Sequence, residues 1–178
     1  WRQVAEKLQN AEFHVLAIDL RGHGQSTGGP TGYQKFSDAQ HQQSLFDLEA
    51  SMEFLRAKGV KKIHLGGASI GANLAVQFTA QHADIASAIL LSPGLDYHGI
   101  HADIWIDNLQ PSQAVLLAAS DDDTYSFTSV KALFDRSSHL PKREIKLLTQ
   151  AGHGTHMFQA YPALIDELVA WLEKVDVE

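Results

Sequence analysis

Short apolar runs alternate with stretches of helical spacing along most of this chain, and no other feature restricts the fold as much. FHVLAIDL (13–20), KKIHLGG (61–67), ASAILLS (86–92), AVLLAAS (114–120) and EIKLLTQ (144–150) are compact and rich in aliphatic residues. Runs of this kind predict buried strands. The intervening segments follow a different period. Val4 to Leu8 has the pattern of a helix end. Leu45, Leu48, Met52 and Leu55 recur every three or four residues, with Ser37 placed to cap a helix and Gly59 to stop it. Helices are also predicted over 70–83, 126–138 and 156–175, with Pro162 bending the last or opening its first turn. Strands apolar on both faces and separated by helices belong to the α/β class. The prediction is a mostly parallel sheet of about five strands, with helices on both faces and right-handed crossovers. No repeat or internal linker divides the sequence, so residues 1–178 are expected to form a single domain.

Composition removes several functions. Hydrophobic residues make up 44% and charged residues 20%, enough apolar material for a core. A net charge of −7 argues against a nucleic-acid partner, because phosphate binding needs a basic face. No apolar run approaches the roughly 18 residues of a membrane span. The chain has no cysteine, which removes disulfides, thiolate nucleophiles and cysteine zinc sites. Compartment and oligomeric state are left open.

The chemistry-bearing stretch is HLGGASIGANL (64–74). Gly67-Ala68-Ser69-Ile70-Gly71 fits G-x-S-x-G, with a strand predicted before it and a helix after it. That context makes a tight strand-to-helix turn with the serine at a strained backbone angle. Glycines on either side let strand and helix approach closely. The turn lifts Oγ above the sheet edge and turns the Ile70 N–H toward the same space, where a developing oxyanion would be stabilised. A serine nucleophile needs a base, and the base needs an orienting carboxylate. In an open parallel sheet both should follow the C-terminal ends of later strands. AVLLAAS leads into Asp121, Asp122 and Asp123, and EIKLLTQ leads into His153, so the order along the chain is Ser, Asp, His.

Four stretches resemble the α/β-hydrolase superfamily, nearest its small, lidless esterase and dienelactone-hydrolase-like branch: AIDLRGHGQS (17–26), GGASIGANLA (66–75), LLAASDDDTYS (116–126) and AGHGTHMF (151–158). The resemblance implies the α/β-hydrolase fold and a serine esterase that acts on a small-molecule ester without a cofactor. It implies Ser69 as nucleophile, His153 as base and Ile70 N–H as oxyanion donor. In such proteins the acid follows a G-x-x-D pattern. Ser120 stands at the glycine place and Asp123 at the acid place, so Asp123 is favoured over Asp122 and Asp121, which fit exposed neighbours. His153, flanked by Gly152 and Gly154, is favoured over His156, a surface or capping candidate. His23 in RGHGQS matches a family loop and has no catalytic role. The spacing of His153 and His156 does not match a zinc-helix motif, and no metal is expected.

The family pattern carries further expectations. Its second oxyanion donor lies on a loop after an earlier strand, and that strand sits between those at 13–19 and 62–67. The sequence opens on what resembles the following helix. The expectation is therefore the C-terminal greater part of an α/β-hydrolase domain, with early strands upstream of Trp1. The alternative is that 13–19 and 62–67 pair directly. Only about twenty residues separate Ser92 from Ala114, too few for a helical cap domain. The site should then be open unless Tyr97, Ile104 and Trp105 fold over it or, equally, serve the core. Thioester or lactone cleavage lies close to ester cleavage. The competing function is a non-catalytic binding module or incomplete fragment of the same fold.

Overall fold

Aliphatic residues at successive positions point to opposite faces of a strand, so strands apolar throughout must be covered twice. In the computed structural model, which describes residues 1–29 and 31–177, this is how the chain is built. Its elements in order are α1 (Arg2–Asn10), α2 (Asp38–Gln42), α3 (Leu45–Ala57), β1 (Ile63–Ala68), α4 (Ile70–Gln81), β2 (Ile85–Leu91), β3 (Asp96–Tyr97), β4 (Ile100–His101), α5 (Ala102–Asp107), β5 (Ala114–Ser120), α6 (Thr124–Arg136), β6 (Arg143–Leu148), α7 (Met157–Ala160) and α8 (Ala163–Val177). The main sheet has the order β1-β2-β5-β6, and every neighbouring pair is parallel. Ala68, Leu91 and Ala118 share one line of register. The residues after them emerge at the same rim, which is where the site forms.

The two faces separate by residue parity. Ile89, Leu91, Leu116 and Ala118 pack with Met157, Phe158, Leu164, Leu168 and Leu172 of α7 and α8. Ala88, Leu90, Val115, Leu117 and Ala119 pack with Ala72 and Val76 of α4, Ile106 of α5 and Leu133 of α6. A third cluster seats α3 through Met52 against Ile63, Phe78 and Ile85. Small side chains on α4 let it lie close to the sheet. Among the described residues no helix is long and apolar enough to cross a membrane.

Three expectations are refined by the structure. The run at 13–20 is not a strand. It neither joins the sheet nor pairs directly with β1, and Leu16 and Ile18 stay 39% and 41% exposed. β-branched sequence favours a strand only where a neighbour offers ladder hydrogen bonds and a covered face. Phe13 packs partly on the α8-side core and edge-on to His64. The sheet thus holds four of the five expected strands. The helix expected from Ser37 to Lys58 is two, α2 and α3, joined by a tight turn at Gln43–Ser44. Its predicted start is correct: Ser37 and Gln40 form a reciprocal capping box. The last helix is also divided, at Tyr161–Pro162, where proline lacks the N–H to continue α7.

Gln113 shows how strongly one polar side chain can fix a helix end. It is buried, and its Nε2 donates to the carbonyls of Thr79, His82 and Ile85 at 2.7, 3.1 and 3.1 Å. Those carbonyls belong to the end of α4 and the turn into β2. Replacing Gln113 by Ala removes these bonds, although Thr79 and His82 keep backbone N–H partners, and should cost about 2 kcal/mol. For a chain of this length that lowers Tm by roughly 4–8 °C in calorimetry. An unchanged Tm would show that the cap contributes nothing.

Candidate active site

Ser69 ends β1 and begins α4. Its N–H donates to the Leu91 carbonyl at 2.9 Å as a strand residue does, while its own carbonyl accepts from Ala72 N–H at 2.9 Å as a helix cap does. Serving both elements forces φ to 56° and ψ to −126°, a strained conformation for a residue with a Cβ. Only one of the flanking glycines is demanded by packing. A Cβ on Gly67 would lie 2.1 Å from the Gly71 carbonyl oxygen, whereas a Cβ on Gly71 would meet nothing within 4 Å. Ile70 is the first residue of α4, where helix geometry leaves the N–H without an intrahelical acceptor.

His153 follows β6, and its Nδ1–H donates to Asp123 Oδ2 at 2.6 Å. Asp123 is the N-cap of α6 and also accepts from Ser126 N–H at 3.5 Å. Burial pushes the Asp123 carboxyl upward, but the His153 and Ser126 hydrogen bonds outweigh it and hold the pKa below its ordinary value. The loop carrying His153 is brought to Ser69 by its next residue. Gly154 has φ of 59°, its N–H donates to Ser92 Oγ at 2.8 Å, and its α-carbon lies so near β1 that an added Cβ would stand 3.4 Å from that of Ala68. Nucleophile and imidazole candidates therefore share one rim. A Ser69–His153 hydrogen bond is not among those of the described residues, and such bonds often tighten only when substrate is bound.

Asp121 and Asp122 are exposed, yet they are more than solvated neighbours. Asp121 Oδ1 accepts from Gln150 N–H at 2.8 Å, and Asp122 accepts from Gly152 N–H at 3.1 Å. Between them, buried Ser120 accepts from Ala151 N–H at 2.7 Å while its hydroxyl donates to Asp122. The Ser120 bond, opposed by slight desolvation and helped by Gly152, lowers the Asp122 pKa. Three consecutive amides before His153 are thus held by the loop that carries Asp123. Sequence reading missed this clamp; the only trace is the match of three acidic or hydroxyl side chains to a glycine-rich loop.

The other candidates around the site have their own surroundings. His156 is exposed at the turn into α7, and no described hydrogen bond joins it to the three aspartates. His23 stacks on Tyr33 at 4.1 Å and bonds the Arg21 carbonyl, a structural arrangement. Trp105 packs into the α4-side core and Ile104 is exposed, so neither covers the rim. Tyr97 does reach it: its hydroxyl lies 3.2 Å from the Oγ of Ser126, whose N–H is capped by Asp123. The His153 side chain is 44% exposed. A hollow of about 490 Å³ lies elsewhere, between the 21–28 loop and α2 and α3, beside the Arg21–Asp47 ion pair. Among the described residues no three His, Cys, Asp or Glu side chains converge as metal ligands.

A parallel sheet with helices on both faces, and a serine on a strained strand-to-helix turn at its rim, defines the α/β-hydrolase class. The chain belongs to that family: its alpha/beta hydrolase fold model matches residues 1–123. No curated protein sequence matches the chain. Solved structures share the fold at low identity. An esterase from Pyrococcus furiosus is 20% identical with a TM-score of 0.79, over 97% of this chain and 74% of its own. A dienelactone hydrolase from Anabaena variabilis is 17% identical with a TM-score of 0.73, over 97% and 77%. A carboxylesterase from Nitrososphaera gargenis is 18% identical with a TM-score of 0.74, over 99% and 85%.

Two outcomes follow from this geometry. Gly67→Ala should destabilise the fold by about 1–3 kcal/mol, the cost of overpacking a tight contact, while Gly71→Ala leaves Tm within a degree or two; equal effects in thermal melts would contradict the asymmetry. Asp123 has a folded pKa below its unfolded value of about 3.9. Its stabilisation is therefore present above that pH and lost as pH falls through the folded value. Asp123→Asn should flatten this part of the acid limb of a stability–pH curve, and an unchanged limb would remove the linkage.

Proposed function

We propose that the protein is a serine hydrolase of carboxylic esters, with Ser69 as nucleophile, His153 as general base and acid, and Asp123 as the orienting carboxylate. The observation that carries this is the 2.6 Å His153 Nδ1–Asp123 contact on the rim shared with a strained Ser69. Family membership supports it, as do structural neighbours titled esterase, carboxylesterase and dienelactone hydrolase.

In this mechanism Ser69 Oγ attacks the acyl carbon while its proton passes to His153 Nε2. Asp123 keeps the other ring nitrogen protonated and stabilises the imidazolium. The oxyanion of the tetrahedral intermediate meets the Ile70 N–H at the start of α4. Collapse breaks the bond to the alcohol, which leaves with the proton from His153. Water, deprotonated by His153, then attacks the acyl-enzyme and releases the acid and Ser69. Every proton is carried by His153, and no cofactor enters. The substrate is a small-molecule ester, and an exposed imidazole on an open rim suits a short, accessible acyl group.

Short p-nitrophenyl esters and a fluorophosphonate probe test this together. Wild type should turn over the ester and be labelled, and Ser69→Ala should lose both. His153→Ala and Asp123→Asn should each lower kcat about 10³- to 10⁴-fold, while His156→Ala stays near wild type. Folded protein that is neither labelled nor active points to a binding module. Activity confined to thioesters or lactones moves the substrate class. Loss in His156→Ala with retention in His153→Ala overturns the base.

A further inference from the structure

Gly152, His153 and Gly154 give the candidate base a loose footing. Both glycines lie in the left-handed region, with φ of 77° and 59°. Glycine loses more conformational freedom than any other residue when its backbone is fixed. The His153 side chain is itself 44% exposed, so packing does little to hold the ring. Hydrogen bonds to the loop therefore set where the imidazole stands.

Those bonds join two loops rung by rung. Asp121 accepts from Gln150 N–H, Ser120 from Ala151 N–H, Asp122 from Gly152 N–H and Asp123 from the His153 ring, at 2.8, 2.7, 3.1 and 2.6 Å. Asp122 and Gly152 thus form the rung directly before Asp123 and His153. Ser120 stands at the centre of the hold. It is fully buried, its one proton goes to Asp122 Oδ1, and a lone pair receives the Ala151 N–H. Asp122 Oδ1 in turn accepts from both the Ser120 hydroxyl and the Gly152 N–H. Every donor in this network has its own proton. The far side of His153 is held as well, because Gly154 N–H donates to Ser92 Oγ at 2.8 Å.

We propose that the Ser120–Asp122 pair positions the His153 imidazole for catalysis, by fixing the loop of the base against the loop of the acid before substrate arrives. The assignment rests on the serine hydrolase proposal above. Both side chains act through His153 and are positioning residues. With Gly152 tied to Asp122, the next residue on each loop already faces its partner, and the Asp123–His153 bond is preset. His153 carries every proton in acylation and in deacylation, so a displaced ring slows both steps alike. The loss then belongs in kcat, and KM stays near its original value. A misplacement of about 1 Å can cost roughly 10²-fold in rate.

Asp122 is exposed, so its variants should fold. Asp122→Ala removes the acceptor of the Gly152 N–H and of the Ser120 proton. With p-nitrophenyl acetate its kcat should fall about tenfold, with KM within about twofold of wild type. Amide hydrogen exchange at Gly152 should speed up. Asp122→Asn keeps an Oδ1 that can accept from both donors and should recover most of the rate. Ser120→Ala breaks both bonds of the hydroxyl, and its kcat should fall about 10- to 100-fold below its Tm. If Ser120→Ala does not fold, the two Asp122 variants carry the test. Wild type that is labelled by fluorophosphonate and active, with kcat unchanged in Asp122→Ala, overturns the positioning role alone. A raised KM at unchanged kcat does the same, since these side chains would then serve binding. So does an Asp122→Asn variant as slow as Asp122→Ala, because the charge and not the held amide would matter. Wild type that is neither labelled nor active removes the nucleophile, and with it the reaction this pair serves.

Discussion

The close approach of α4 to the end of β1 governs the rest of this molecule. At Gly67 the helix backbone comes so near that a Cβ would stand 2.1 Å from the Gly71 carbonyl. A strand can turn into a helix in this space only if the residue between them takes a positive φ, and that residue is Ser69. The strain is supported by packing on both sides, with α4 set against the sheet through fully buried alanine and valine side chains. Local strain of this kind persists where the surroundings over-determine it. The same turn aims the first amides of α4 at the rim, so one steric constraint positions both an alcohol and the positive end of a helix dipole.

The parallel register converts that local constraint into a site. Because β1 and β2 end on one line and β5 runs only two residues past it, Ser69, Ser92 and the aspartate loop arise at one rim. Ser92 is the quiet hub of this rim. It has φ of 48°, its N–H bonds the Ala118 carbonyl, its hydroxyl holds Gly154, and its carbonyl accepts from Ser126. It links the strand beside Ser69 to the loops that carry Asp123 and His153. Rigid supports of this sort hold reacting groups within the small tolerances that catalysis needs.

The acidic triplet illustrates a division of labour among chemically alike groups. Asp123 takes the imidazole, while Asp121 and Asp122 take backbone amides that fix where the imidazole stands. Carboxylates that accept from N–H groups at fixed positions act as oriented clamps, and charge-assisted bonds are the stronger kind. Their exposure therefore does not measure their importance to the site.

Periodicity and turn chemistry alone determined the class of fold, four strands of the sheet, the Ser37 cap and the break at Pro162. These depend on neighbours close in sequence, and local patterns report local structure. G-x-S-x-G in its strand–helix context likewise singled out Ser69, chain order pointed to His153 and the three aspartates 121–123, and the family resemblance favoured Asp123 among them. Tertiary structure decided the rest. The run at 13–20 reads as a strand but is not one, because a ladder needs a partner that no single segment can supply. Asp121 and Asp122 look alike and solvated in sequence, and their amide partners lie about thirty residues away. Tyr97 sits in a short loop with no motif of its own, and only the hold of Asn73 and α6 on that loop brings its hydroxyl to Ser126. Such pairings are set by three-dimensional packing between distant segments, and no local pattern records them.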